Sequence, residues 1–205
     1  MSDDVANLSV AQMDALREIG NVGAGNSATA LSQIINRRID MEVPRVSAVP
    51  LDDVPELVGG PEVMVVGVFL RVYGKAPSNI LFLLPKESAF YLVDMLMGKK
   101  HGETMTLDFM DQSALMEIGN ILSGAYLNAL FNFTNISLLP SIPALAMDMA
   151  GAILSVVLVQ LGQMGDHALV IETEFKTEDD GIKGHFFLVP DPGSLDKILS
   201  AVGVE

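Results

Sequence analysis

One stretch of this chain is written twice. Asp14–Ile35 aligned with Ser113–Thr134 gives nine identities in 22 positions, among them the whole run Glu-Ile-Gly-Asn at 18–21 and again at 117–120. A second echo lies further on. FLLPKESAFYLVDMLMG ends at Gly98 and FLVPDPGSLDKILSAVG at Gly203; each sets a Pro after an apolar run, then an amphipathic run, then a Gly. Pro near a helix start and Gly just past its end is the asymmetry expected of a short helix. The two echoes together read as one pattern used twice. The chain of 205 residues therefore reads as a single domain made of two similar halves, about 9–100 and 107–203.

Within each half the pattern predicts a long helix, extended segments, a strand ending in Pro and a closing helix. The helices are expected over Ser9–Arg37, with Ser9 as cap, and Leu107–Phe133; shorter ones over Glu87–Met97, Met147–Gln163 and Asp191–Val202. Strands are expected over Val63–Val72, Asn79–Pro85, HALVIETEFK and GHFFLVP, with an acidic turn, TEDDGI, between the last two. Arg38–Val49 and Ile136–Ala146 read as extended, the first held so by Pro44 and the second by Pro140 and Pro143; LDDVPELVGG reads as a turn or short helix. Short turns between strand pairs imply antiparallel pairing. The fold class is mixed α/β: antiparallel strands packed against long helices, with internal pseudo-two-fold symmetry.

On a helix with 3.6 residues per turn, Glu18, Asn21, Gly25, Thr29 and Asp14 share one stripe. Leu16, Ile19, Gly20, Gly23, Ser27, Ala30 and Leu31 fall on the other side and should face the core. The second helix repeats this, with Glu117, Asn120 and Gly124 opposite Leu115, Ile118 and Gly119. Packing accounts for Ile19 and Gly20 but not for two copies of an outward acid and amide. Three glycines between 20 and 25 also cost helix stability, about 1 kcal/mol each relative to Ala, a local sacrifice of the kind found at functional sites. The residues alone leave two readings open: a solvated helix face, or a functional pair used twice.

Other chemistry is thin. Gly23, Gly25 and Ala28 fit a dinucleotide fingerprint in letters, but a helix precedes them where a strand is needed, and the second copy has Leu122. His101, His167 and His185 lack neighbours at ligand or relay spacing, so no metal site of the chain's own is expected. There is no Cys, hence no disulfide, thiolate-bound zinc or thiol nucleophile. The formal net charge of −14 repels phosphate backbones and anionic lipid, so neither nucleic acid nor a membrane surface is an expected partner. The apolar window Met149–Gly165 falls short of a span and contains Gln160 and Gln163. The first residues show no secretory signal, and a cytoplasmic location is expected. A chain with Glu and Asn but no nucleophile, metal cluster or cofactor loop can complete a site that another molecule largely supplies.

EIGNVGAGNSATALS and EIGNILSGAYLNAL resemble the paired signatures of the CheC family of chemotaxis phosphatases, and the similarity runs from Met13 to about Gly203. The doubled motif is closer to CheC than to the single-site CheX type or to the flagellar switch proteins FliY and FliM. The resemblance implies that the substrate is phosphorylated CheY, whose receiver domain brings its own aspartyl phosphate, Mg²⁺ and Lys; the chain would need no cofactor of its own. It implies that Asn21 and Asn120 orient the attacking water, that Glu18 and Glu117 pair with the receiver's Lys, and that Gly25 and Gly124 leave room for the partner's backbone. It also implies CheD as a second partner, with Asp148, expected at a helix start, as its candidate contact; capping the helix is the commoner role of an Asp there. The rival is a non-catalytic adaptor that binds CheD or a receiver without hastening hydrolysis. A third reading, a nucleotide-binding enzyme, would require ligand-induced stabilisation.

Overall fold

The computed structural model describes residues 8–35, 38–43, 45–161, 167–176 and 181–203. In chain order these form α1 (Val10–Ile35), β1 (Asp40–Glu42), β2 (Val46–Pro50), a 3-10 turn at Leu51–Asp53, α2 (Val54–Leu57), β3 (Met64–Gly74), β4 (Ser78–Pro85) and α3 (Lys86–Leu96). The second half repeats the order: α4 (Phe109–Thr134), β5 (Leu138–Pro140), β6 (Ala144–Met149), α5 (Ala150–Leu161), β7 (His167–Lys176), β8 (Gly181–Pro190) and α6 (Ser194–Ala201).

All the strands join one antiparallel sheet ordered β1-β7-β8-β4-β3-β5, with β2 also on β7 and β6 also on β3. The halves are therefore interleaved. Each supplies one central hairpin, β3–β4 or β7–β8, and the two hairpins meet along β4 and β8, where Phe82 lies opposite Phe186. Each half's first two strands cross over to the other half's hairpin. The registers match: Asp40 faces Lys176 as Leu138 faces Gly74, and Val46 faces Ile171 as Ala144 faces Phe69.

Strand alternation divides the core in two. Ile80, Phe82 and Leu84 of β4 point to the face covered by α1, α3, α4 and α6, while Leu81 and Leu83 point to the opposite face, under α2 and α5. This is why β4 reads as an unbroken apolar run rather than an alternating one. Arg71 of β3 forks onto both carboxylate oxygens of Asp191, just past β8, and locks the hairpins at one end of the sheet.

The second half departs from expectation most at the start of α5. Helix was expected from Met147, but β6 continues to Met149 and α5 begins at Ala150. Asp148 is therefore a strand residue, opposite Val65, and not a helix cap. The reason is that the first N–H groups of α5 already have backbone acceptors: Ala150 donates to the Val63 carbonyl (2.8 Å) and Gly151 to that of Pro61 (2.9 Å). Asp148 instead accepts the N–H of Met149 at 2.8 Å. His185, expected at a strand start, sits within β8 opposite Glu172, because β8 begins earlier, at Gly181. Pro44 and most of the acidic turn, 177–180, lie outside the described residues.

Candidate functional site: two outward acid–amide pairs

The site is built on α1 and α4, which pack side by side over the sheet. Both helices start with reciprocal caps. Ser9 donates its N–H to Gln12 Oε1 (2.8 Å) and accepts that of Gln12 on Oγ (3.3 Å). Asp108 Oδ1 accepts from the Asp111 N–H (2.9 Å) while Asp111 Oδ2 accepts from that of Asp108 (3.2 Å). Asp111 is buried and also takes a 2.8 Å ion pair from Lys99, so the connection from α3 is tied to the first turn of α4. In the same connection Asp94, 1% exposed, accepts the N–H groups of Gly102 (2.7 Å) and Thr104 (2.9 Å). Burial alone would raise its pKa; the Thr104 hydroxyl and the backbone N–H groups of Gly102, Thr104 and Glu103 outweigh it and hold the carboxyl below its ordinary value.

The Glu-Ile-Gly-Asn run divides cleanly by face. Ile19 and Ile118 are each 1% exposed, in the main core. Gly20 and Gly119 meet the sheet: a Cβ on Gly20 would come within 3.4 Å of Val43, and one on Gly119 within 2.5 Å of Val68 Cγ1. Glu18, Asn21, Glu117 and Asn120 are all exposed. Among the described residues, none hydrogen-bonds or ion-pairs with these four side chains. Packing thus fixes two letters of the motif and leaves the other two presented to solvent, once per half.

The glycines further along are of two kinds. At Gly23 a Cβ would stand 3.0 Å from the Tyr126 Cα, so this residue lets α1 and α4 approach closely. Its counterpart Leu122 is a buried core residue, one copy being small where the other is large. Of the nucleotide-fingerprint letters, Gly23 thus marks a helix crossing. Gly25 and Gly124 differ: a Cβ at either would touch nothing within 4 Å, so the fold itself does not require glycine there. Both lie on the stripe of the acid–amide pairs. Asp148 belongs to neither pair; it is exposed on β6 beside exposed Met147 and Met149.

The chain is 41% identical to the CheY-P phosphatase CheC of Bacillus subtilis over 196 residues, 94% of either chain. This chain belongs to the CheC-like family. The profile of that family matches twice, at residues 12–48 and 110–146, which are the α1–β2 and α4–β6 segments of the two halves. The CheC-like duplication is thus present in sequence as well as in strand register. Among solved structures, Thermotoga maritima FliY superposes with a TM-score of 0.78 at 22% identity, covering 96% of this chain and 98% of that one. CheX in the CheX–CheY–BeF3–Mg complex of Borrelia burgdorferi gives 0.50 at 15% identity, with 82% and 96% covered. These two likenesses speak for the fold. No helix of the described residues is long and apolar enough to cross a membrane, and no described group of three or more His, Cys, Asp or Glu could hold a metal ion.

Proposed function

We propose that this CheC-like protein is a phosphatase of phosphorylated CheY, with one site on α1 and one on α4. The observation that carries the reading is the exposure of Asn21 and Asn120 beside Glu18 and Glu117 on rigidly packed helices. The 41% identity to a CheY-P phosphatase supports it. The hydroxyls along the two stripes, of Thr29, Ser32 and Ser113, donate to the backbone carbonyls of Gly25, Ile39 and Phe109, which favours a chain that acts on a phosphoryl group arriving already bound. The CheX relative crystallised with CheY, Mg and BeF3, a mimic of the phosphoryl group, and Mg²⁺ here likewise comes with the substrate.

Hydrolysis of an aspartyl phosphate by in-line attack of water needs positioning and charge stabilisation more than covalent help. The carboxamides of Asn21 and Asn120 can accept a hydrogen bond from a water and donate one, and so hold it in line with phosphorus. Glu18 and Glu117, one turn earlier, offer a carboxylate to the receiver's Lys and set the register of docking. Gly25 and Gly124, two turns beyond the glutamates, keep the stripe low so that the partner's backbone can lie close. With phosphorylated CheY as its substrate, the chain is proposed to work in the cytoplasm.

A second contact is proposed for CheD at Asp148. The support is its exposure on β6, which pairs on one side with β3 and has no described strand on the other. Asp148→Lys abolishes co-elution with CheD and leaves hydrolysis without CheD unchanged; retained co-elution would reject the contact. The adaptor reading predicts binding of a receiver without a shorter phosphate lifetime. Phosphate release from purified phosphorylated CheY separates the two: acceleration supports the phosphatase, and binding without acceleration supports the adaptor.

A further inference from the structure

The two sites share their chemistry but not their surroundings. On α4, Met110, Glu117, Gly124 and Phe131 follow at seven-residue steps, and on α1 the same steps give Ala11, Glu18, Gly25 and Ser32. Residues seven apart lie on one helix face, drifting only about 20° per step. The α4 stripe therefore has an apolar side chain at each end, and both are open to solvent: Met110 is 59% exposed and Phe131 43%. Their counterparts make no such offer. Ala11 is small, and Ser32 turns to the α1–β1 connection, where its Oγ accepts the Ile39 N–H at 2.9 Å and donates to the Ile39 carbonyl at 3.2 Å.

The flanks differ in the same sense. Arg17, exposed beside Glu18, is replaced by the half-buried Met116. Beyond Gly25 lies an open groove of about 1030 Å³ whose walls include Thr29, Gln33, Arg38, Asp40 and Glu42. Arg38 is itself paired with Asp40, at 3.2 Å. Site 1 thus presents mostly charges and hydroxyls, with exposed Val10 as its apolar end, and site 2 presents a methionine and a phenylalanine about 30 Å apart along a helix, with the acid–amide pair between them.

We propose that Met110 and Phe131 are docking residues of site 2, closing on apolar surface that flanks the phosphoaspartate of the CheY receiver, while site 1 holds the same receiver by polar and charged contacts. The occupant is set by continuity: both side chains lie on the stripe that carries Glu117 and Asn120, so a receiver seated on that pair covers them. The inference rests on the phosphatase reading. Apolar side chains that a docked partner covers bury less area when truncated, which weakens binding rather than chemistry. Charge-dominated docking is screened by salt and apolar docking is not.

The test uses single-site proteins. Asn21→Ala leaves site 2 working and Asn120→Ala leaves site 1 working. In the Asn21→Ala protein, Phe131→Ala and, separately, Met110→Ser each raise KM for phosphorylated CheY about three- to tenfold with kcat within twofold. Val156→Ser, an exposed apolar truncation on α5 away from either stripe, leaves both unchanged. Between about 0.05 and 0.5 M salt, KM rises more steeply for the Asn120→Ala protein than for the Asn21→Ala protein, where Glu117 is the charged contact that remains. Thermal melting of each variant keeps a folding loss apart from a docking loss, and Met110 and Phe131, at opposite ends of α4, report independently. An unchanged KM in both variants, a fall confined to kcat, or equal salt slopes at the two sites overturns the inference. Failure of the phosphatase reading looks different: the Asn21→Ala, Asn120→Ala double mutant would be as active as the wild type.

Discussion

At the scale of single residues, glycine separates packing from function. Three glycines of the motif helices look alike in the sequence, yet the space around them differs. Gly119→Ala forces a methyl to within 2.5 Å of Val68 Cγ1 and should lower stability by about 1–3 kcal/mol, read from denaturant melts. Gly25→Ala and Gly124→Ala place a methyl in open space and should leave stability unchanged or raise it, by up to about 1 kcal/mol from helix propensity. Lengthening the same positions, Gly25→Leu with Gly124→Leu, keeps the fold and lowers phosphatase activity, because the new side chains stand where a receiver must lie. Full activity in that variant would show that nothing approaches the stripe closely. The sequence showed that Glu18 and Asn21 share a face, because helical period is a local property. It also set Gly23 on the core side and Gly25 on the stripe, but it could not show that what Gly23 meets is Tyr126, a residue on another helix.

At the scale of elements, the beginnings of helices explain both what was legible and what was not. Ser9 as a cap followed from residue type and position, and the structure has it. Asp148 followed the same logic and was misplaced: backbone carbonyls of Pro61 and Val63, remote in sequence, already take the first N–H groups of α5. The order of the α3–α4 connection was not legible, because it comes from Asp94 and Asp111 being buried, and burial of an Asp has no sequence signature. That connection holds the start of the second motif helix, and it should be sensitive to acid. Asp94 has a folded pKa below its unfolded value, so its contribution is full above the unfolded value of about 4 and is lost as pH falls through the folded one. Asp94→Asn should cost about 2 kcal/mol near neutral pH, where a carboxylate accepting backbone N–H groups is replaced by an amide. The gap between the two melting curves should narrow as pH falls below about 4. A gap that stays constant to low pH would mean that the ionised carboxylate contributes nothing.

At the scale of the whole molecule, the duplication was legible and the interleaving was not. Repeated motifs give the number of units; pairing partners come from contacts between segments about a hundred residues apart. Because β1 and β2 lie on β7, and β5 and β6 on β3, each half carries strands whose partners belong to the other. Residues 1–104 produced alone should therefore not fold as a monomer, and mixing with 105–205 should restore the strand and helix signals in circular dichroism. A cooperatively melting monomer of the first half alone would contradict this topology. The interleaving also bears on function: it seats α1 and α4 on one continuous sheet, so that both acid–amide stripes are held by a common core.

The central claim is that two exposed asparagines each aim a water at a phosphoryl group that arrives on a partner. The direct measurement is phosphate release from phosphorylated CheY with the wild type, Asn21→Ala, Asn120→Ala and the double mutant. The account predicts acceleration by the wild type, partial activity in each single mutant, and a fall of at least about 100-fold in the double mutant with melting temperature unchanged. A double mutant that is folded and as fast as the wild type would contradict it.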